Sequence, residues 1–345
     1  MSLHYHARVS DPLGPGPPPG YGPPPGYGPP PQVKGGGART GPLPLHPMTV
    51  GDILDGVFKL FKANAVTIVV IVALFTVPLQ LVAAWLQRDA LGGAGFLDAL
   101  GDPSVLDTDA AQPFGEARDI WTSVAITVAS LLVVPLVAGA VSQVVAASYL
   151  GETLPAGAAL SRTLRRFWAL LGGWFISHVP ALVAGVAFVL LVFLGAGAGL
   201  GVVVGFGFLA VLVLVPLVVA VSALSVAVAP AIVVEELGPF AGVRRSWGLV
   251  RRRFWPVLGI SLLAGLITSL VAGALGFVPS VIALFFGLEY GWIVLAAGGI
   301  LASLVSEPIV AIAATLIYFD LRIRTEGFDL QIIATELAGQ DTSAH

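Results

Sequence analysis

The sequence predicts an all-α, polytopic membrane helical bundle: six transmembrane helices paired as three hairpins, each hairpin preceded by an amphipathic helix in the cytoplasmic interface. Three observations carry this. Hydrophobic residues make up 57% of the chain and charged residues only 11%, where soluble domains carry about 25% charged residues, and the mean hydropathy is +0.93. Six apolar runs are each long enough for a hydrocarbon core, which takes about 20 helical residues. Finally, short basic stretches with helical periodicity stand ahead of every second apolar run. The net charge of −3 says little about partners, because in a membrane protein the distribution of Lys and Arg among the loops decides orientation. The chain has no cysteine, which excludes disulfides, thiol catalysis and thiolate metal sites.

Residues 1–46 contain PPPGYGPPPGYGPPP and no apolar periodicity, so they are expected to form a disordered, solvated Pro/Gly/Tyr-rich tail. No apolar run follows a basic start there, so the tail is expected to stay with the mature chain. It is either a flexible extension or a docking segment using Tyr21 and Tyr27. Order begins at Thr49, an N-cap with Asp52 three residues on, in MTVGDILDGVFKLFKAN. Asp52, Asp55, Lys59 and Lys62 share one helical face, and Val50, Ile53, Leu54, Val57, Leu60 and Phe61 the other.

The membrane domain, 47–330, then runs through apolar segments near 65–86, 120–149, 169–194, 200–234, 257–286 and 292–319. No charged residue occurs between His178 and Glu235, a run too long for one helix, and GAGAGLG at 195–201 is the expected turn. With six spans, Lys59, Lys62, Arg162, Arg165, Arg166, the five arginines from Arg244 to Arg253, Arg322 and Arg324 all fall on one side. That side is expected to be the cytoplasm, with both termini inside and a short tail at 331–345. The outer connections are then an acidic loop at 87–119, the glycine turn, and GLEYG at 287–291.

The same unit occurs three times in this pattern, starting at Thr49, Leu154 and Leu237: a surface helix ending in LFKAN, LRRFW or RRRFW, then an apolar hairpin. The returning helices carry Pro135, Pro216 and Pro308 at similar depth. AIVVEELGPFAGVRRSWGLVRRRFWPVLG, the opening MTVGDILDGVFKLFKAN, and IYFDLRIRTEGFDL together resemble the bacterial membrane-domain proteins named after glycerophosphoryl diester phosphodiesterase, over residues 47–330. The last stretch is the most specific, with Asp320, Arg322, Arg324, Glu326 and Gly327 as its motif residues. The resemblance implies a polytopic membrane module, joined in some members to a phosphodiesterase domain, without a defined activity of its own. That catalysis needs acidic metal ligands and paired histidines in a soluble barrel. The histidines here are His4, His6, His46, His178 and His345, three of them in the tail, so no enzyme, metal or cofactor is expected.

Two sets of residues are candidate functional sites. On the surface helices and their boundaries, Arg165, Arg166 and Trp168, then Arg244, Arg245 and Trp247, then Arg251, Arg252, Arg253 and Trp255 form a basic, aromatic surface. Near an anionic leaflet each arginine is worth about 1 kcal/mol, with the tryptophans at headgroup level. The alternative is that these residues only fix topology and close the cytoplasmic side. Within the membrane, helical rise puts His178 about 15 Å deep and Glu307 about 18 Å deep, near enough to the midplane to meet. An intramembrane carboxylate is costly and marks a proton relay or a polar binding site, or else a neutral, hydrogen-bonded packing group beside Pro308. Gln80 and Gln143 are expected to link helices.

Two functions follow. One is a non-enzymatic module organising or regulating proteins or lipids, its partners being anionic membrane lipids and an unidentified protein. The other is a transporter or lipid-handling protein with a polar site around Glu307. An intramembrane hydrolase has no motif to support it, and arginines spread over separate loops do not suit nucleic acid.

Overall fold

A computed structural model describes residues 47–86, 117–195, 200–285 and 287–327. Over these residues the chain forms α1 (Val50–Ala63), α2 (Ala65–Leu86), α3 (Ala117–Tyr149), α4 (Ala156–Arg165), α5 (Phe167–Gly195), α6 (Leu200–Ser225), α7 (Val228–Val234), α8 (Pro239–Arg251), α9 (Phe254–Phe285) and α10 (Gly287–Glu326). Six spans among them are long and apolar enough to cross a membrane. The Pro-rich tail 1–46, residues 87–116 of the acidic loop, residues 196–199 of the glycine turn and residues 328–345 lie outside the described residues.

The amphipathic helices form as their sequences dictate. Thr49 accepts from the Asp52 backbone N–H at 3.2 Å while Asp52 accepts from the Thr49 N–H at 2.8 Å, a reciprocal cap worth about 1 kcal/mol. α1 buries Ile53, Gly56, Val57 and Leu60. Val50, expected on that apolar face, is exposed, because it lies past the end of the buried stripe at the edge of a groove against α9 and α10. Each short helix meets its long one at a corner of one or two residues: Asn64, Arg166, and Arg252 with Arg253. At the first corner the Asn64 amide donates to the Leu60 carbonyl at 3.1 Å and to Ser148 Oγ at 3.0 Å, tying it to the end of α3.

Three expectations need correction. The segment 200–234 is two helices, α6 and α7, because Pro230 has no N–H for the Val226 carbonyl and its ring crowds the preceding turn. The freed Leu224 carbonyl accepts from Ser246 Oγ of α8 at 2.7 Å, and Gln143 of α3 donates to the Val233 carbonyl at 3.1 Å, so neighbours satisfy the interrupted backbone. GLEYG is no loop, since α10 already begins at Gly287. Nor does the last helix stop near 319: it continues to Glu326 and takes in most of the IYFDLRIRTEG motif.

The returning helices end alike. Gly151, Glu236 and Gly327 adopt the left-handed conformation at φ 77°, 54° and 62°, one or two residues beyond α3, α7 and α10. Glycine adopts it readily; for Glu236 it is a strained position, and its exposed carboxylate pairs with Arg166 at 2.7 Å.

α10 is the hub, packed against α9, α2, α1 and α3. Of its most apolar stretch 44% is buried, against 6% for α5, which therefore stands at the lipid boundary. Lipid tails are as apolar as Leu, so this core is held by close packing rather than by escape from water. Tyr149 and Phe319, both fully buried, stack at 4.6 Å with their planes 5° apart. The α5 and α6 hairpin packs on itself and meets α3 through α5 and α9 through α6, leaving a space between it and the hub.

Candidate functional site

The end of α10 carries polar groups on two opposite faces, because residues two apart on a helix point about 200° apart. On one face Asp320 and Arg324 clamp the entry to α1: Arg324 Nε donates to Asp320 at 2.8 Å and its Nη2 to the Met48 carbonyl at 2.6 Å, while the Met48 N–H donates to Asp320 at 2.8 Å. On the other, Tyr318, Arg322 and Glu326 face α7 and α8. Arg245 of α8 donates through Nε to both oxygens of Glu235 at 2.9 Å, and through Nη2 to Glu326 at 2.7 Å, with Nη1 on the second Glu326 oxygen. Tyr318 donates to Glu235 at 2.6 Å, and Arg322 bonds Glu326 at 3.3 Å. Glu326 first, and Glu235 with it, hold the Arg245 guanidinium above its ordinary pKa against the opposing effect of burial, so it stays charged. Gly327 ends the helix, donating its N–H to the Ile323 carbonyl at 3.1 Å. The motif at the end of the chain is thus a double clamp that fastens the first and third amphipathic helices to the hub.

The predicted basic surface divides. Arg166 and Arg245 are bound in ion pairs. Trp247, expected at headgroup level, instead packs beside Ile232 and Val243, with its indole N–H buried and without a partner among the described residues. It faces inward because α8 lies on α5 and α7. Arg165, Arg244, Arg251 and Arg252 are exposed, Arg253 is half-buried in the groove between α1, α9 and α10, and Trp168 and Trp255 are each 78% exposed in the first turns of α5 and α9. Those six exposed residues are the part of the predicted surface that is open to a lipid or a partner.

His178 and Glu307 line the same cavity, of about 630 Å³, between α3, α5, α6, the α6–α7 break, α9 and α10. They do not bond to each other. Glu307 Oε2 accepts from Thr76 of α2 at 2.9 Å. His178 Nδ1 lies 2.8 Å from the Trp174 carbonyl, and the imidazole stacks on the Trp174 ring at 4.4 Å. Ser225 and Ser261, not among the residues expected from the sequence, also line the cavity, and their hydroxyl oxygens are buried with no hydrogen-bond partner among the described residues. Ser225 is the last residue of α6, so the helix break places it on the lining. Most of the lining is apolar, and Val218, Leu262 and Val310 on it are about half exposed, so its side opens toward the lipid. Gln80, bonded to Ser303 at 3.4 Å, and Gln143 link helices outside the lining.

Chemically the cavity offers an apolar volume with a few convergent polar groups, the general form of a small-molecule site. Among the described residues no group of His, Asp and Glu is arranged to hold a metal ion. The model of a family described as a domain of unknown function, DUF7847, matches residues 48–320. Neither the curated proteins nor the solved structures give a match.

Proposed function

The chain belongs to the DUF7847 family, and we propose that it is a lipid-handling membrane protein, non-enzymatic, that holds an amphiphilic molecule in the cavity between the α5–α6 hairpin and the hub. The single observation that carries this reading is the laterally open, mainly apolar cavity lined by His178, Glu307 and two serines whose hydroxyls have no hydrogen-bond partner among the described residues. A broken helix beside a polar intramembrane pocket is the arrangement by which transporters build substrate sites. The resemblance to the membrane module named after glycerophosphoryl diester phosphodiesterase supports a lipid-facing role without cleavage. In this reading the chain lies in the cytoplasmic membrane with the amphipathic helices and both termini inside, and it consists of three related units, as the three corners and the three left-handed exits suggest.

The test is to purify the full chain in mild detergent and quantify co-purifying lipid by mass spectrometry. Ser222, exposed and on the lining, can be enlarged without disturbing the core. Ser222→Phe is expected to lower retained lipid about tenfold at unchanged membrane abundance, a loss of about 1.4 kcal/mol. Unchanged retention would mean that the lipid is not held in the cavity. A second reading, a cytoplasmic surface for anionic lipids or a protein partner, is favoured by the exposed Arg165, Arg244, Arg251 and Arg252. On that reading the acidic lipid bound to Ser222→Phe stays at the wild-type level.

A further inference from the structure

Resting on the lipid-handling reading, we infer that the molecule in the cavity has an uncharged, hydroxyl-bearing head of the acylglycerol kind, and that phosphate-headed lipids are turned away. The polar lining fixes this. His178 Nδ1 lies 2.8 Å from the Trp174 carbonyl and 3.0 Å from Ser177 Oγ, whose hydroxyl donates to that same carbonyl at 2.8 Å; with Ser177 donating to the carbonyl, Nδ1 carries the proton, and in this neutral tautomer Nε2 is the acceptor. Stacking on Trp174 holds that ring in place. Glu307 takes one hydrogen bond from Thr76 on Oε2, and its other oxygen has no partner among the described residues. Ser225 and Ser261 add two hydroxyls that need both a donor and an acceptor.

No lysine or arginine stands among the described lining residues. Apart from Arg118 at the start of α3, the described arginines lie on the amphipathic helices, at their corners and on the last turns of α10, and Arg245, Arg322 and Arg324 are bound there. A phosphate in the cavity would bring charge to a wall that has no counter-charge, and an unpaired charge in such surroundings is strongly disfavoured. A glycerol hydroxyl brings no charge: it can donate to His178 Nε2 or Glu307, and a turn of the Ser225 or Ser261 side chain supplies a donor to it. The acyl chains leave past Val218, Leu262 and Val310, which line the cavity and are half exposed. The volume of about 630 Å³ suits a head and the upper part of its chains, not a whole lipid.

Trp174 lines the cavity and reports occupancy. Seven tryptophans are present, so its signal is the difference between the natural chain and Trp174→Phe. The probes are a diacylglycerol and a phosphatidic acid carrying the same brominated chains, added to the full chain in nanodiscs. The diacylglycerol is expected to quench the Trp174 component at a concentration at least about tenfold lower than the phosphatidic acid. Ser261→Ala and Glu307→Gln are expected to narrow that ratio while leaving the quenching of Trp168 and Trp255 unchanged. Equal quenching, or a preference for phosphatidic acid, overturns the inference and leaves lipid holding intact. Quenching by neither lipid overturns lipid holding itself. Should Trp174→Phe not fold, the ratio of the two lipids retained by the natural chain on purification separates the same outcomes.

Discussion

Arg245→Leu will lower the stability of the folded bundle by about 3 kcal/mol, the lower end of the cost of breaking a buried ion pair because the groups are about a quarter exposed. The guanidinium is shared between Glu235 next to the end of α7 and Glu326 at the end of α10, and its removal leaves the two carboxylates near each other with Arg322 as a remaining counter-charge among the described residues. Leucine fills most of the volume, so the loss reports charge rather than packing. Thermal unfolding in detergent followed by circular dichroism measures it. The double variant Arg245→Leu, Glu326→Leu is expected to recover part of the loss, since it removes one stranded charge with its partner, and Arg245→Lys should fall between because an ammonium cannot reach both carboxylates with the fork of a guanidinium. A stability unchanged in Arg245→Leu would mean that the double clamp does not hold α8 to the hub.

Gly242→Leu is the second large effect, and it acts through a single side chain. Ile232 of α7, fully buried, is wedged between Gly242 of α8 and Gly173 of α5. A Cβ on Gly242 would stand 2.4 Å from Ile232 Cγ1, and one on Gly173 2.7 Å from its Cδ1, distances that real atoms do not adopt. Leucine at 242 must push α8 away from α7, at a cost of about 3 kcal/mol. It also displaces Ser246, which satisfies the Leu224 carbonyl at the helix break. The same unfolding measurement is expected to show the loss, and Ile232→Ala in the Gly242→Leu background should return much of it by making room, although Ile232→Ala alone destabilises. Additive losses in the double variant would show that the two residues do not compete for one space.

What the sequence made legible, and what it hid, follows the same physics. The spans, the three amphipathic helices and the Thr49 cap could be read directly, because hydrocarbon thickness, helical period and capping chemistry each leave a local signature. The helix break left one too, in Pro230, but Pro78, Pro135 and Pro279 sit inside helices that run on unbroken, so the effect of a proline here depends on neighbours that can replace the lost bonds. His178 and Glu307 could be put within apolar spans, since each stands in a long run without other charges. That they share a cavity but bond elsewhere depends on helix rotation, which an apolar sequence with little amphipathic bias does not encode. Ser225 and Ser261 were invisible for the same reason: a serine in a membrane helix ordinarily bonds its own backbone, as Ser269 and Ser280 do here. The division of the arginines into bound and exposed required the tertiary placement of Glu235, Glu236 and Glu326.

The most direct measurement of lipid holding is an electron cryo-microscopy map of the full chain reconstituted in nanodiscs of its native lipids. The expected result is elongated density entering past Val218 and Leu262 and ending in a head within hydrogen-bonding distance of Ser261, His178 or Glu307. A cavity closed by the α5–α6 hairpin packing directly against α9 and α10, or one containing only water, would contradict it.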